Sequence, residues 1–132
     1  MNRKGFTLVE LIAVIALLGI ISIIAFVSIF DVIKKSKVSD CENLILSIKS
    51  AAKEYASDKR YGWTNANDKS ITAQTLIDGN YLSSPITDPF DNSSTLIAGN
   101  INITITLNSD YSAKDVTVKY GSRAVVCSNN KW

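Results

Sequence analysis

Between Glu10 and Asp31 lie twenty consecutive residues without a charge, and the only polar side chains among them are Ser22 and Ser28. As a helix this run would span roughly 30 Å, about the thickness of one bilayer hydrocarbon core. A segment that is apolar on every side needs a membrane, or a bundle of like helices, around it. That requirement limits the chain to an apolar helical segment followed by a head of about a hundred residues, enough for one small core.

Three ordinary readings of this N-terminus leave residues unexplained. A secretory signal has an apolar stretch of about 7–15 residues and then small residues for cleavage. Here the stretch is longer, and Phe26-Val27-Ser28-Ile29-Phe30-Asp31 stands where those small residues belong. A plain single-pass anchor fits the length but has no use for an acid at Glu10. The flanking charges do not orient such an anchor, because Lys34, Lys35 and Lys37 outnumber Arg3 and Lys4. A buried core helix is at odds with twenty uninterrupted apolar or small residues.

The stretch Lys4-Gly5-Phe6-Thr7-Leu8-Val9-Glu10 resembles the precursor signature of type IV pilins and type II secretion pseudopilins. The resemblance covers about the first 25 residues and implies a structural subunit, not an enzyme. It implies that a prepilin peptidase cuts after Gly5 and that the new terminal residue, Phe6, is N-methylated. It also implies that Glu10 pairs with the Phe6 amine of a neighbouring copy as the helix enters a filament. The implied partners are other copies of the chain and related pilins, the membrane, the peptidase, an assembly platform protein and its ATPase. The implied location is the cytoplasmic membrane for the precursor, single-pass with its head outside, and then an extracellular filament. Within the same resemblance, the alternatives are a pseudopilin of a type II secretion system, or a minor pilin acting as a membrane-anchored DNA-binding or adhesive module. The resemblance departs at one point: the chain has no proline before Pro85, where family helices often carry one about twenty residues in.

Elementary chemistry suits each position. Gly5 offers a protease an unhindered backbone. An acid at the edge of an apolar segment is costly and marks function. Glu10 sits four residues after Phe6, so the two are expected on one helical face at the end of the segment. Gly19 costs a helix about 1 kcal/mol and is a place for it to loosen. Removing residues 1–5 takes away Arg3 and Lys4, so 14 basic residues become 12 and match the 12 acidic ones. A neutral product argues against nonspecific binding to nucleic acid or anionic lipid. There is no histidine, which removes the commonest general base and metal ligand. No nucleophile–base pair, phosphate loop or metal-ligand spacing of cysteines appears, so no catalytic residue, metal or cofactor is expected.

The head reads as α+β, a long helix packed on an antiparallel sheet of about four strands. Val38, Cys41, Leu44, Ile45, Ile48, Ala52 and Tyr55 recur at three- and four-residue spacing. The expectation is one helix over residues 6–57, roughly 75–80 Å long. Its apolar part covers 6–30, and the head, 31–132, carries the continuation 31–57. A loop and a short helix fill 58–93, the loop over 58–70 and the helix over 72–78, stopped by Gly79-Asn80. The phrase from Asp78 to Asp91 loosely resembles a segment common in pseudopilins and Gram-positive pilins. Strands are expected over 94–128, where Ile101, Ile103, Ile105 and Leu107 alternate with polar residues. Gly99-Asn100 and Gly121-Ser122 are hairpin signals. They predict Ala98 opposite Ile101 and Leu96 opposite Ile103. They also predict Tyr120 opposite Arg123, Val118 opposite Val125 and Val116 opposite Cys127.

This register puts Cys127 on the apolar face of the last strand, and Cys41 lies on the apolar face of the helix. A Cys41–Cys127 disulfide is the expectation for an exported head, with two buried thiols as the alternative. Asp88, Asp91 and Asn92 resemble the calcium loop of major pseudopilins only in carrying oxygen ligands, and ordinary turn chemistry accounts for them better. The cluster Lys59-Arg60-Tyr61-Gly62-Trp63 reads as a loop packed on its own head or on a neighbour, ahead of a DNA-binding reading.

Overall fold

The computed structural model describes residues 5–129 and 132. One long helix, α1, runs over Leu8–Lys59, two residues later at each end than the expected 6–57. Contacts divide the chain into two units that meet between Ser36 and Lys37, and each is described by itself.

In the first unit the described residues are α1 up to Ser36 and the three residues before it. Every side chain described there is exposed. The backbone satisfies its own hydrogen bonds, as a segment in lipid must. Among the described residues, α1 is the one helix long and apolar enough to cross a membrane.

In the second unit, α1 continues with one buried stripe. Cys41, Ile48, Ala51, Ala52 and Ala56 are buried, with Leu44, Ile45 and Tyr55 half-buried at their margin. The three- and four-residue spacing makes that stripe. The sheet that completes the core has strands β1 Lys69–Thr72, β2 Ile101–Leu107, β3 Ala113–Tyr120 and β4 Arg123–Ala124, in that spatial order, all antiparallel. Along β2 the isoleucines and Leu107 are buried while Asn102, Thr104 and Thr106 look outward. Period two therefore carries Ile71, Ile103 and Val118 into one inward row, and Ile105 and Val116 into the next. Leu76 and Ala73, from the short helix α2 Ala73–Asp78, close the same core.

The expected four-stranded antiparallel sheet is found, but its first strand is a different segment. Residues 98–100 form a 3-10 turn rather than a hairpin, so neither Ala98 nor Leu96 opposes β2. Leu96 instead donates its N–H to the Ile86 carbonyl (2.8 Å), and Thr87 bridges Thr95. The vacant place beside β2 is taken by β1, with Ile71 opposite Ile103. The supposed loop 58–70 thus holds a 3-10 turn over Arg60–Gly62 and the first half of a strand.

At the second hairpin the register is the expected one, Tyr120 opposite Arg123, around Gly121 at φ +59°. The named strand ends at Ala124, however, so the pairs Val118–Val125 and Val116–Cys127 are not part of it. Cys127 opens a 3-10 turn, Cys127–Asn129, where its sulfur bonds Cys41.

The stop after α2 works through two residues. Asn80 takes the left-handed conformation (φ +62°), which asparagine tolerates. Gly79 is required for another reason: a Cβ there would stand 2.6 Å from the Tyr81 ring.

Candidate functional site

Gly5, Phe6 and Thr7 lie outside the helix, and Thr7 starts it. The Thr7 carbonyl accepts the first helical bond, from the Leu11 N–H at 3.2 Å, and a second from the Glu10 N–H at 3.1 Å. The Thr7 Oγ1 also accepts from the Glu10 N–H, at 3.3 Å. Thr7 is therefore the N-cap and Glu10 the third helical residue, the spacing of a capping box. The Glu10 carboxylate sits in the first turn, where the partial positive charge of the helix start favours it.

One sequence argument fails here. Phe6 is not helical, so it shares no helical face with Glu10; the two are related through the cap instead. The Thr-x-x-Glu spacing was the signal for this.

Along the helix, large apolar side chains face outward through the whole segment, Leu8 74% and Ile23 71% exposed. Small residues follow a strict period of three: Ala13, Ala16, Gly19, Ser22, Ala25 and Ser28. Rows of residues three apart form the ridges and grooves of a helix surface, so this row is a shallow oblique groove between ridges of larger side chains. Apart from the helix's own nearby backbone, no described residue comes within 4 Å of a Cβ built on Gly19, so no contact among the described residues requires glycine there. Ser22 donates its hydroxyl to the Leu18 carbonyl at 2.7 Å, which pairs that donor within the helix. The sequence reading singled out only Gly19; the period-three spacing would have revealed the rest.

The two cysteines are joined in a disulfide, with Cα atoms 5.7 Å apart, and no described cysteine is free. Cys41 is fully buried and Cys127 nearly so.

The acidic loop is built from turns. Asp88 accepts the Phe90 N–H (2.8 Å), Asp91 accepts the Ser93 N–H (3.1 Å) and its hydroxyl, and Lys37 donates to the Phe90 carbonyl (2.8 Å). The hydroxyl and then the amide of Ser93 hold the Asp91 carboxyl below the ordinary aspartate range. No group of three His, Cys, Asp or Glu residues able to hold a metal occurs among the described residues.

Within the 59–63 cluster, Arg60 and Trp63 are engaged locally. Arg60 donates to the Tyr61 hydroxyl (2.7 Å) and lies 4.7 Å from its ring centre, and Trp63 packs at the core margin under Lys69 Nζ, 5.5 Å away. The half-buried Trp63 fits a loop packed on its own head.

The described geometry thus gathers its unusual features at one place: an exposed Gly5–Phe6 bond, a capped helix start bearing an acid, and an uncovered apolar surface behind it. No curated protein and no solved structure matches the chain. Residues 1–26 do match the family model described as Prokaryotic N-terminal methylation motif, the class III prepilin signal of type IV pilins and pseudopilins.

Proposed function

We propose that the chain is a type IV pilin-like structural subunit of an extracellular filament. It is held in the membrane as a precursor, cut after Gly5 by prepilin peptidase, methylated at Phe6, and assembled through residues 6–30. The observation that carries this reading is an apolar helix that no described residue of the rest of the chain covers, with an acid in its first turn five residues after Gly5. A helix of this kind is stable either in lipid or among its own copies, and a subunit that moves from one to the other uses both.

The period-three groove supports the second environment. Without a hydrophobic drive between helices in lipid, small residues let backbones approach and gain packing. Glu10 supports it too: cutting creates a Phe6 ammonium, and an acid from a neighbouring copy neutralises it inside the bundle. The assembly ATPase and platform protein are partners on this reading, and the head carries the outer surface.

Mass analysis of the N-terminus in sheared fibres tests the proposal. The expected product begins at Phe6 with one added methyl group. Fibres containing an intact Met1, or lacking the chain altogether in a host that assembles them, would end it.

A further inference from the structure

We infer that Thr7 presents the Gly5–Phe6 bond for cleavage, by fixing the helix start two residues beyond it. The inference rests on the reading of the chain as a processed precursor. It assigns a positioning role to Thr7, which follows Phe6 in the chain and contributes no atom to the bond that is cut.

The competition is over two N–H groups. If the helix ran back through Phe6, the Glu10 N–H would bond the Phe6 carbonyl and the Val9 N–H would bond the Gly5 carbonyl. The second of these is the carbonyl to be attacked. Hydrolysis adds a water oxygen to the Gly5 carbonyl carbon, breaks its bond to the Phe6 nitrogen and delivers a proton to that nitrogen. The products are a Gly5 carboxylate and a Phe6 ammonium. A carbonyl tied into a helical ladder, with its carbon shielded by the turn, is a poor substrate for that addition.

Next to an apolar stretch, lengthening the helix is favourable, because each backbone group left unpaired near lipid is costly. Glycine at one position opposes this only weakly. The structure shows what opposes it more directly. The Thr7 hydroxyl and carbonyl together take the Glu10 N–H, at 3.3 and 3.1 Å, so it is not available to Phe6. Thr7 is the first acceptor of the ladder, and Gly5 and Phe6 stay outside it.

The test compares full-length precursors in membranes that hold the native peptidase. Thr7→Val keeps the shape and loses the hydroxyl acceptor, and Thr7→Ala adds the strongest helix former. Both should lose the leader roughly three- to thirtyfold more slowly, the range a threonine cap commands in helix-start populations. Thr7→Ser and Thr7→Asn, which restore a side-chain acceptor, should stay within about threefold of the parent. Amide exchange at Phe6, Val9 and Glu10 in micelles gives the readout that a general loss of structure would not. Protection should spread to Val9 in the valine and alanine chains and recede again in serine and asparagine. A valine chain cut as fast as the parent, or a serine chain as slow as valine, overturns the role. A parent that is never cut overturns the precursor reading, and this role with it.

Discussion

Reducing the Cys41–Cys127 bond should loosen the head by an amount that its place in the chain sets. The two residues are 86 apart. Closing a loop of that size lowers the entropy of the unfolded chain by about 15 cal/mol/K, or about 4.6 kcal/mol at 25 °C in the chain-entropy model. Measured bonds usually deliver about 2–4 kcal/mol. For a head of about a hundred residues, with an unfolding entropy near 2.1 cal/mol/K per residue, that becomes a fall in melting midpoint of about 10–20 °C. Both cysteines are buried, so the comparison of oxidised and reduced chains reads the crosslink together with the small shift two thiols need to separate. The measurement is a thermal melt of the full chain in detergent, oxidised and then reduced and refolded, followed by the near-ultraviolet signal of Trp63 and Trp132. Both indoles sit half-buried and report packing. Midpoints within about 3 °C of each other would mean that the unfolded chain gains nothing from release. The bond could then not be what holds Cys127 to the helix.

Gly79→Ala should destabilise the head by about 1–3 kcal/mol in a denaturant melt. The new methyl meets a Tyr81 ring that is fixed edge-on to Tyr55 and bonded to Asp58 at 2.8 Å. In an NMR titration Asp91 should give up its proton at lower pH than an ordinary aspartate, and Ser93→Ala should move its midpoint back up. Because the folded-state value is the depressed one, the stabilisation from this turn is present above the unfolded aspartate range and is lost as pH falls through the folded value. Replacing Glu10 with Leu should leave membrane residence intact or improved, and sharply cut the amount of chain in sheared fibres. Glu10→Asp should be partly competent, and equal incorporation of the leucine chain would show that no charge pairing registers the subunit.

The legible parts of this fold are those where one face alone decides. Ile101, Ile103, Ile105 and Leu107 could only alternate, and the three- and four-residue spacing from Val38 to Tyr55 put Cys41 on the buried side of α1. Gly121 set the register of the last hairpin, because a left-handed residue at a tight turn leaves little choice. What escaped was short or borrowed. Strand β1 has four residues and a single large apolar one, Ile71, too little for a period to appear; pairing with β2 makes it a strand. Leu96-Ile97-Ala98 looked more like a strand than Lys69-Ser70-Ile71-Thr72 does, yet Ile97 is exposed and the segment pairs back on the loop before it. At the candidate site Gly5, Phe6 and Glu10 are singled out by their order in the sequence alone. The relation between Phe6 and Glu10 is not legible that way, because a helix start is set by a side-chain bond rather than by periodicity.

The two units draw their order from different sources, and that separates what mutations in each can do. The head has its own core, from Ile48 to Val118, and a crosslink through it. The helix before Lys37 has no side chain buried by the rest of its chain among those described. Fully covering an isoleucine or leucine is worth about 1.5–3 kcal/mol, and among the described residues no side chain of this segment is buried to that extent. Whatever covers residues 8–30 therefore supplies their stabilisation, and lipid and a neighbouring helix are both apolar enough to do so. A change from one to the other costs little in hydrophobic terms and is decided by the few polar or small features along the way. On the proposed function these are the acid at Glu10, the ammonium that cleavage would create at Phe6, and the groove from Ala13 to Ser28. Substitutions at those positions should move the chain between membrane and fibre with no change in the melting of the head. Substitutions such as Gly79→Ala should do the reverse.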